Sequence, residues 1–329
     1  MTDFTFISAN DIHISDNPPR SRTDNFKESI LDKLRQIALV CNKVSADAVL
    51  IAGDLYNLKN PARNSHALNQ DLIRVFKTFG CPIYMIEGNH DITANSLNSI
   101  LEQPLGVLFA DGTLQQLRHE IIEKNGFKIS IVGSPYKEIE SINDIILEPK
   151  GDCIYQIGLL HLYASPKSGM LFKERIYGYD ELTKLSPDLF VIGHYHKDQG
   201  IVDDHGKIFI NIGSLSRGSL SEEDINHQPQ IGYIKISVDE STRNVFVDAS
   251  PVKLKVKPPE EVFDLKKREE EKKEQKEIEI FVDKLVSDYS ASDGADQDGN
   301  DFETVMGSMS LVKEVKDRVM HYIQEASVR

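Results

Sequence analysis

Pro82-Ile83-Tyr84-Met85-Ile86-Glu87-Gly88-Asn89-His90-Asp91 is the stretch from which the rest of the chain can be read. Its first half is a short apolar run rich in β-formers, the pattern of a strand buried on both faces. Its second half sets an amide, an imidazole and a carboxylate side by side just after that strand. Open α/β sheets gather their ligands at the carboxyl ends of strands. Similar apolar runs recur at 4–9, 47–52, 128–133, 154–160, 188–192 and 208–212. Asp11-Ile12-His13 follows the run at 4–9, Gly53-Asp54 the run at 47–52, and His161 closes 154–160. Gly193-His194-Tyr195-His196 follows 188–192. The glycines before Asp54, Asn89 and His194 suggest sharp turns that aim successive side chains into one cleft.

Between the first three runs the apolar period changes. Phe26, Ile30, Leu34, Ile37 and Val40 recur at helical spacing within 25–44, and Leu68, Leu72, Val75 and Phe79 within 65–79. Strand, helix, strand, helix, strand predicts parallel pairing with right-handed crossovers. Later strands, including 231–238 and 245–255, have shorter connections and are expected to pair partly antiparallel. The fold class is therefore α/β, a β-sandwich flanked by helices.

Composition excludes some functions. No apolar run in the 329 residues approaches the ~20 that a membrane span requires. MTDFTFISAN has neither the basic start nor the apolar stretch of a secretory signal. A soluble, cytoplasmic chain with no membrane partner is expected. Cys41, Cys81 and Cys153 are odd in number and widely separated in apolar sequence, which suits buried free thiols. The net charge of −14 counts against a nucleic-acid surface. Much of the excess lies late in the chain, where 258–289 hold eleven acids against seven bases and 290–303 five acids and no base. Residues 264–277 read as a charged, solvated helix and 290–301 as an acidic linker. That linker is not a calcium loop, because Gly294 and Val305 stand where such a loop needs carboxylates. Phe302, Val305, Met309, Val312, Val315, Val319 and Ile323 then mark one face of an amphipathic helix over 302–329.

Each strand-end motif alone is weak, since a lone histidine after an apolar run is more often a hydrogen-bonded core residue than a ligand. Their joint occurrence is specific. Five of the ten histidines stand at strand ends beside Asp, Asn or Gly. His66, His119, His205, His227 and His321 lack such a setting and read as structural or surface residues. In this order D-x-H, GD, GNHD, H and GHxH resemble the calcineurin-like metallophosphoesterase family over about residues 1–215. The resemblance implies two divalent metal ions, Mn2+ first, with Fe2+ or Zn2+ as alternatives. It implies that Asp11, His13 and His196 bind one ion, that Asn89, His161 and His194 bind the other, and that Asp54 bridges them. His90 would stand beside the scissile phosphate as acid or transition-state stabiliser, with Asp91 orienting its ring.

Flanking segments carry a finer resemblance. Asn211-Ile212-Gly213-Ser214-Leu215-Ser216-Arg217-Gly218-Ser219 and Val132-Gly133-Ser134-Pro135-Tyr136 are similar to segments of SbcD-type nucleases, the nuclease subunits of SbcC–SbcD-like DNA-repair complexes. That resemblance implies a DNA nuclease, exonucleolytic on duplex and endonucleolytic on single strands. It also implies a homodimer built on the helices at 25–44 and 65–79, and an SMC-like SbcC-type ATPase docked on the C-terminal helix. The corresponding division is a metallophosphoesterase domain at 1–255, a reduced cap or charged helix at 256–289, the linker at 290–301 and the docking segment at 302–329. Arg217 is read as meeting either a structural acid or a DNA phosphate. Asn57 stands three residues after Asp54, where many SbcD-type nucleases carry histidine, and is a second candidate for substrate contact. The alternative is a small-molecule or cyclic-nucleotide phosphodiesterase or phosphatase of the same fold, which the acidic composition would suit.

Overall fold

The computed structural model describes residues 1–270, apart from 95, 148, 149, 172 and 173, together with 272, 273, 276, 278 and 280. The chain divides into two compact units, Met1–Phe263 and Asp264–Arg329. In the second unit the described residues from 265 onward are helical, the state expected of its charged run. The linker at 290–301 and the helix at 302–329 lie outside the described residues.

The first unit opens with β1 (Thr2–Ala9), α1 (Phe26–Val44), β2 (Ala48–Ile51), α2 (His66–Phe76), β3 (Ile83–Met85), α3 (Pro104–Ala110) and β4 (Gln115–Gln116). These four strands pair in parallel, and each crossover carries a helix. Next come β5 (His119–Lys124), β6 (Phe127–Ser134), β7 (Tyr155–Leu162), β8 (Ala164–Ser165), β9 (Gly169–Leu171) and β10 (Glu174–Gly178). The remaining strands are β11 (Leu189–His194), β12 (Gly200–Asp204), β13 (Lys207–Asn211), β14 (Gln230–Val238) and β15 (Val245–Lys253). One six-stranded sheet has the order β15-β14-β1-β2-β3-β4 and the other β12-β13-β11-β7-β6-β5, with β8-β10-β9 as a small third sheet. Antiparallel pairing joins β1 to β14 and forms the edge pairs of β14 and β15, β12 and β13, and β5 and β6. The centre of the second sheet, β6-β7-β11-β13, is parallel.

β1 shows why its sequence reads as a continuous apolar run. Phe4 and Phe6 pack between the sheets against Leu50, Ile157, Leu159 and Val191. Ile7 and Ala9 face the other way and meet Ile30, Leu34 and Ile37 of α1 and Leu72 of α2. A strand covered on both faces has no polar positions to alternate with. Burial of each large apolar side chain contributes about 1.5–3 kcal/mol, which holds the strand ends in fixed positions. On the outer face of the second sheet, Leu160, Phe190, Ile192 and Phe209 pack against Tyr177, Tyr179 and Leu182. The two main sheets are tied at their carboxyl ends, where Asn10 Nδ2 donates to the Ile192 carbonyl at 2.7 Å. There the strand-end motifs of both sheets meet.

Candidate metal centre

The chain leaves three strands through left-handed backbone. The φ values are +48° at Asp11, +49° at His13, +56° at Asp54 and +84° at His194. Each such residue costs roughly 1–3 kcal/mol, and these four are nearly half of the nine non-glycine residues with positive φ among those described. Hydrogen bonds hold the strained turns in place. His13 N–H donates to the Asp54 carbonyl at 3.0 Å, and His194 N–H to the Asp11 carboxylate at 3.0 Å. Gly53 does make the expected sharp turn, at φ +92°, and a Cβ there would lie 2.3 Å from His161 Nδ1. Gly88 and Gly193 correct the expectation. They serve close approach rather than turning, since added Cβ atoms would lie 2.1 Å from Asp54 Oδ1 and from the Ala52 carbonyl oxygen.

The turns bring together nearly every residue singled out in the strand-end motifs. Donor atoms of Asp11, His13, Asp54 and His196 lie within 4.8 Å of one another, and those of Asp54, His161 and His194 form a second such group. Asp54 belongs to both. Its Oδ2 is buried without a hydrogen-bond partner, 3.5 Å from Nε2 of His13 and 3.5 Å from Nε2 of His161. His13 Nε2 faces His196 Nε2 at 2.9 Å, and Asn89 Oδ1 lies 3.1 Å from His161 Nε2. His161 Nδ1 is 2.7 Å from the Ala52 carbonyl. A carbonyl only accepts, so Nδ1 carries a proton and Nε2 is the atom turned to the cluster.

Electrostatics divide the imidazoles of this site, leaving lone pairs on two of them and binding the third to Asp54. Burial holds the His13 imidazole well below its usual range, and burial with the neighbouring His161 pushes His194 down to about 2. Against its own burial, His161 is lifted to about 9 by the Asp54 carboxylate. Asp54, despite burial, is held well below the usual carboxylate range by His161 and His13. A buried oxygen with no donor is costly, and one shared between two imidazole groups fits cations rather than protons. Carboxylate oxygen with imidazole nitrogen is the donor set of first-row divalent ions. The residues fit two such ions. Asp11, His13 and His196 could hold one, Asn89, His161 and His194 the other, and Asp54 both.

His90 stands at the edge of this cluster, its ring 4.8 Å from that of His13. Its orientation differs from expectation. His90 Nδ1 lies 2.8 Å from the Asn57 carbonyl, so it donates there and Nε2 is the nitrogen left available. Asp91 instead turns inward. Its carboxylate accepts from the backbone N–H groups of Asp54, Leu55, Tyr56 and Gly88 at 2.8–3.2 Å. Burial and the nearby Asp54 charge push Asp91 up to about 8, while the Gly88 and Tyr56 amides pull it down. Asp91 thus orders the turns that carry Asp54 and Asn89, and its carboxylate is occupied there rather than on the His90 ring. Asn57 acts on His90 through its main chain, a role no residue-type motif could signal.

Arg217 is 3% exposed, which corrects its reading as a substrate contact. It donates to the Lys257 carbonyl at 2.6 Å, meeting neither an acid nor solvent at that nitrogen. His227 is structural, with Nε2 at 2.7 Å from the Ser214 carbonyl. Cys81 is only half-buried, whereas Cys41 and Cys153 are buried, and all three are free. Glu174 had no signal in the sequence. It lies on β10 beside Arg175, away from every strand-end motif, yet its carboxylate sits 3.2 Å from His194 Nε2. Cavities open on both sides of the cluster, one of about 350 Å³ lined by His194 and one of about 430 Å³ lined by His196.

A family model described as calcineurin-like phosphoesterase matches residues 4–198. Among curated proteins the chain is similar to the uncharacterized metallophosphoesterase YhaO of Bacillus subtilis (strain 168). The two are 27% identical over 216 residues, 62% of this chain and 52% of YhaO. Among solved structures it resembles a putative 5'-nucleotidase from Staphylococcus aureus, with TM-score 0.51 and 16% identity over 78% of this chain and 54% of that one. A dimetal phosphatase from Danio rerio aligns with TM-score 0.47 and 12% identity over 77% of this chain and 99% of that one. The chain spans about half the length of YhaO and of the nucleotidase. At 16% identity the likeness to the nucleotidase is one of fold.

Proposed function

Because the chain belongs to the calcineurin-like phosphoesterase family, we propose that it hydrolyses phosphodiesters at a centre holding two divalent ions, Mn2+ by preference and Fe2+ or Zn2+ otherwise. The observation that carries this reading is the buried, unpartnered Oδ2 of Asp54 between the Nε2 atoms of His13 and His161. When bound, paired ions supply Lewis-acid charge and lower the pKa of water. The chain's own residues supply the rest. Asp54 sets the spacing between the two donor groups, and Asp91 fixes the turns that present them. His90, tethered through Nδ1 to the Asn57 carbonyl, points Nε2 to the centre and, as the imidazolium, gives the Nε2 proton to the leaving oxygen, ending as the neutral ring with its Nδ1–H. The cavities beside His194 and His196 favour a diester, because its phosphorus carries two substituents that each need space. The acidic balance of the chain and the size of these cavities suit a nucleotide-sized substrate.

A second reading makes DNA the substrate. It rests on the similarity of 211–219 and 132–136 to SbcD-type nucleases. In that reading the chain works in repair and recombination as a homodimer, with an SbcC-type SMC-like ATPase bound through 302–329. One assay separates the two: Mn2+-dependent digestion of end-labelled duplex and single-stranded DNA beside a small phosphodiester, with His90→Asn as control. Turnover of the small ester alone supports the nucleotide-sized substrate, and DNA cleavage lost in the variant supports the nuclease. No hydrolysis of either, with two ions bound, overturns both.

A further inference from the structure

The space beside His194 is lined mainly by residues outside the two donor groups. Tyr136 follows β6, Tyr163 follows β7, and Glu174 and Arg175 lie on β10. The Tyr163 ring centroid is 4.0 Å from that of His194 at 46°, and the Tyr136 centroid is 5.4 Å from it at 56°. Tyr136 is also 6.1 Å from His161. Two half-buried tyrosines therefore flank the imidazoles of the second donor group.

The lining carries two groups of each sign, Lys137 and Arg175 against Glu138 and Glu174, so no net charge draws in another phosphate. Arg175 lies over Tyr177 at 4.8 Å and is tied to Glu181 at 2.6 Å. The carboxylate of Glu174 is the nearest charged group to His194 within the cavity lining. Polar, flat and uncharged is the chemistry that such walls accept. Aromatic side chains stack on any nucleobase because every base has a π-face, and a carboxylate accepts from an exocyclic amine. The cavity on the His196 side differs, being lined by Asp198, Glu223, Asp224, Lys197 and Lys253 without a tyrosine.

We infer that the tyrosine-walled cavity is the nucleobase subsite of the centre: Tyr163 and Tyr136 stack the base of the nucleotide unit whose phosphate lies at Asp54. His194 makes the connection, because it belongs to the Asp54 donor group and also lines the cavity. The inference rests on the phosphodiesterase reading, and the base can come from a free nucleotide or from the end of a DNA strand.

The test uses the full chain with Mn2+. The kcat/KM for thymidine 5'-(4-nitrophenyl phosphate) is compared with that for methyl 4-nitrophenyl phosphate, which has no base. Wild type should prefer the nucleoside ester. Tyr163→Leu and Tyr136→Leu should each lower that preference about tenfold through KM, and Tyr163→Phe should restore it. A parallel binding measurement needs no turnover: the chain has 11 Tyr and no Trp, so its tyrosine fluorescence reports a stacked base directly. Deoxyadenosine monophosphate should quench it and bind about tenfold tighter than deoxyribose 5-phosphate. Equal binding of the two, or a preference that survives both leucine variants, overturns the subsite. Base-dependent binding without hydrolysis of either ester would keep the subsite and overturn the phosphodiesterase reading. Oligonucleotides ending in a normal or an abasic residue identify the source: discrimination between them assigns the base to a strand end, and its absence beside intact nucleotide binding assigns it to a free nucleotide.

Discussion

Replacing Asp54 with alanine removes the one carboxylate that both donor groups share. Elemental analysis of Asp54→Ala should find the metal content collapsed, with hydrolysis lost; retention of two ions would sink the shared-ligand assignment. His90→Asn should behave differently. Metal content stays, and kcat falls by about 10²–10⁴, the usual worth of a positioned acid. Unchanged kcat at full occupancy would remove His90 from proton transfer. Asn57 supplies a main-chain carbonyl to His90. Asn57→Ala keeps that carbonyl and should leave kcat within about tenfold of wild type, far from the His90→Asn effect. At this scale the sequence was legible for the candidate donor residues, because motifs of Asp, Asn and His that are weak singly recur together at strand ends. It was not legible for Asp91 or Asn57. Asp91 meets backbone N–H groups 35–37 positions away, and Asn57 offers its backbone carbonyl to a ring 33 positions away; a backbone atom leaves no mark in residue type.

Among the elements, α1 carries a feature that the fold tolerates at a cost. Its apolar positions Phe26, Ile30, Leu34 and Ile37 cover the first sheet, but Lys33 is buried with them, 1% exposed, and its amine lacks a partner. Burial, with Arg22 and Arg217 nearby, pushes Lys33 from 10.5 down to about 7, only partly offset by Asp24 and Asp32. Between those values the unfolded chain binds the proton more fully, so stability rises with pH through pH 7–10.5 and falls as pH drops toward 7. Lys33→Met should therefore raise stability at pH 7 by about 1–4 kcal/mol and flatten that slope, measured by urea unfolding at several pH values. An unaltered slope would mean that Lys33 is not the group responsible. Helical periodicity predicted α1 correctly from 25 to 44. It could not predict a buried lysine, because which helix positions are closed off from water depends on segments far away in the chain.

For the whole molecule, the two readings of substrate part at the C-terminal segment. Deleting 290–329 should leave small-ester turnover within about twofold if the chain acts alone on nucleotides. If the chain is a nuclease subunit, the same deletion should abolish co-purification with an SMC-like ATPase. No described helix is long and apolar enough to cross a membrane. By itself the sequence determined the order of strands and helices, the α/β class and which residues could act as metal donors, because apolar period and residue chemistry are local and survive in one dimension. Only the tertiary structure decided that two sheets meet at their carboxyl ends, that Asp54 is common to both donor groups, and that Arg217 is sealed from solvent. It also brought Glu174, Tyr136 and Tyr163 around His194. Those are distances between segments far apart in the chain, set by the packing of two sheets, and no linear pattern contains them.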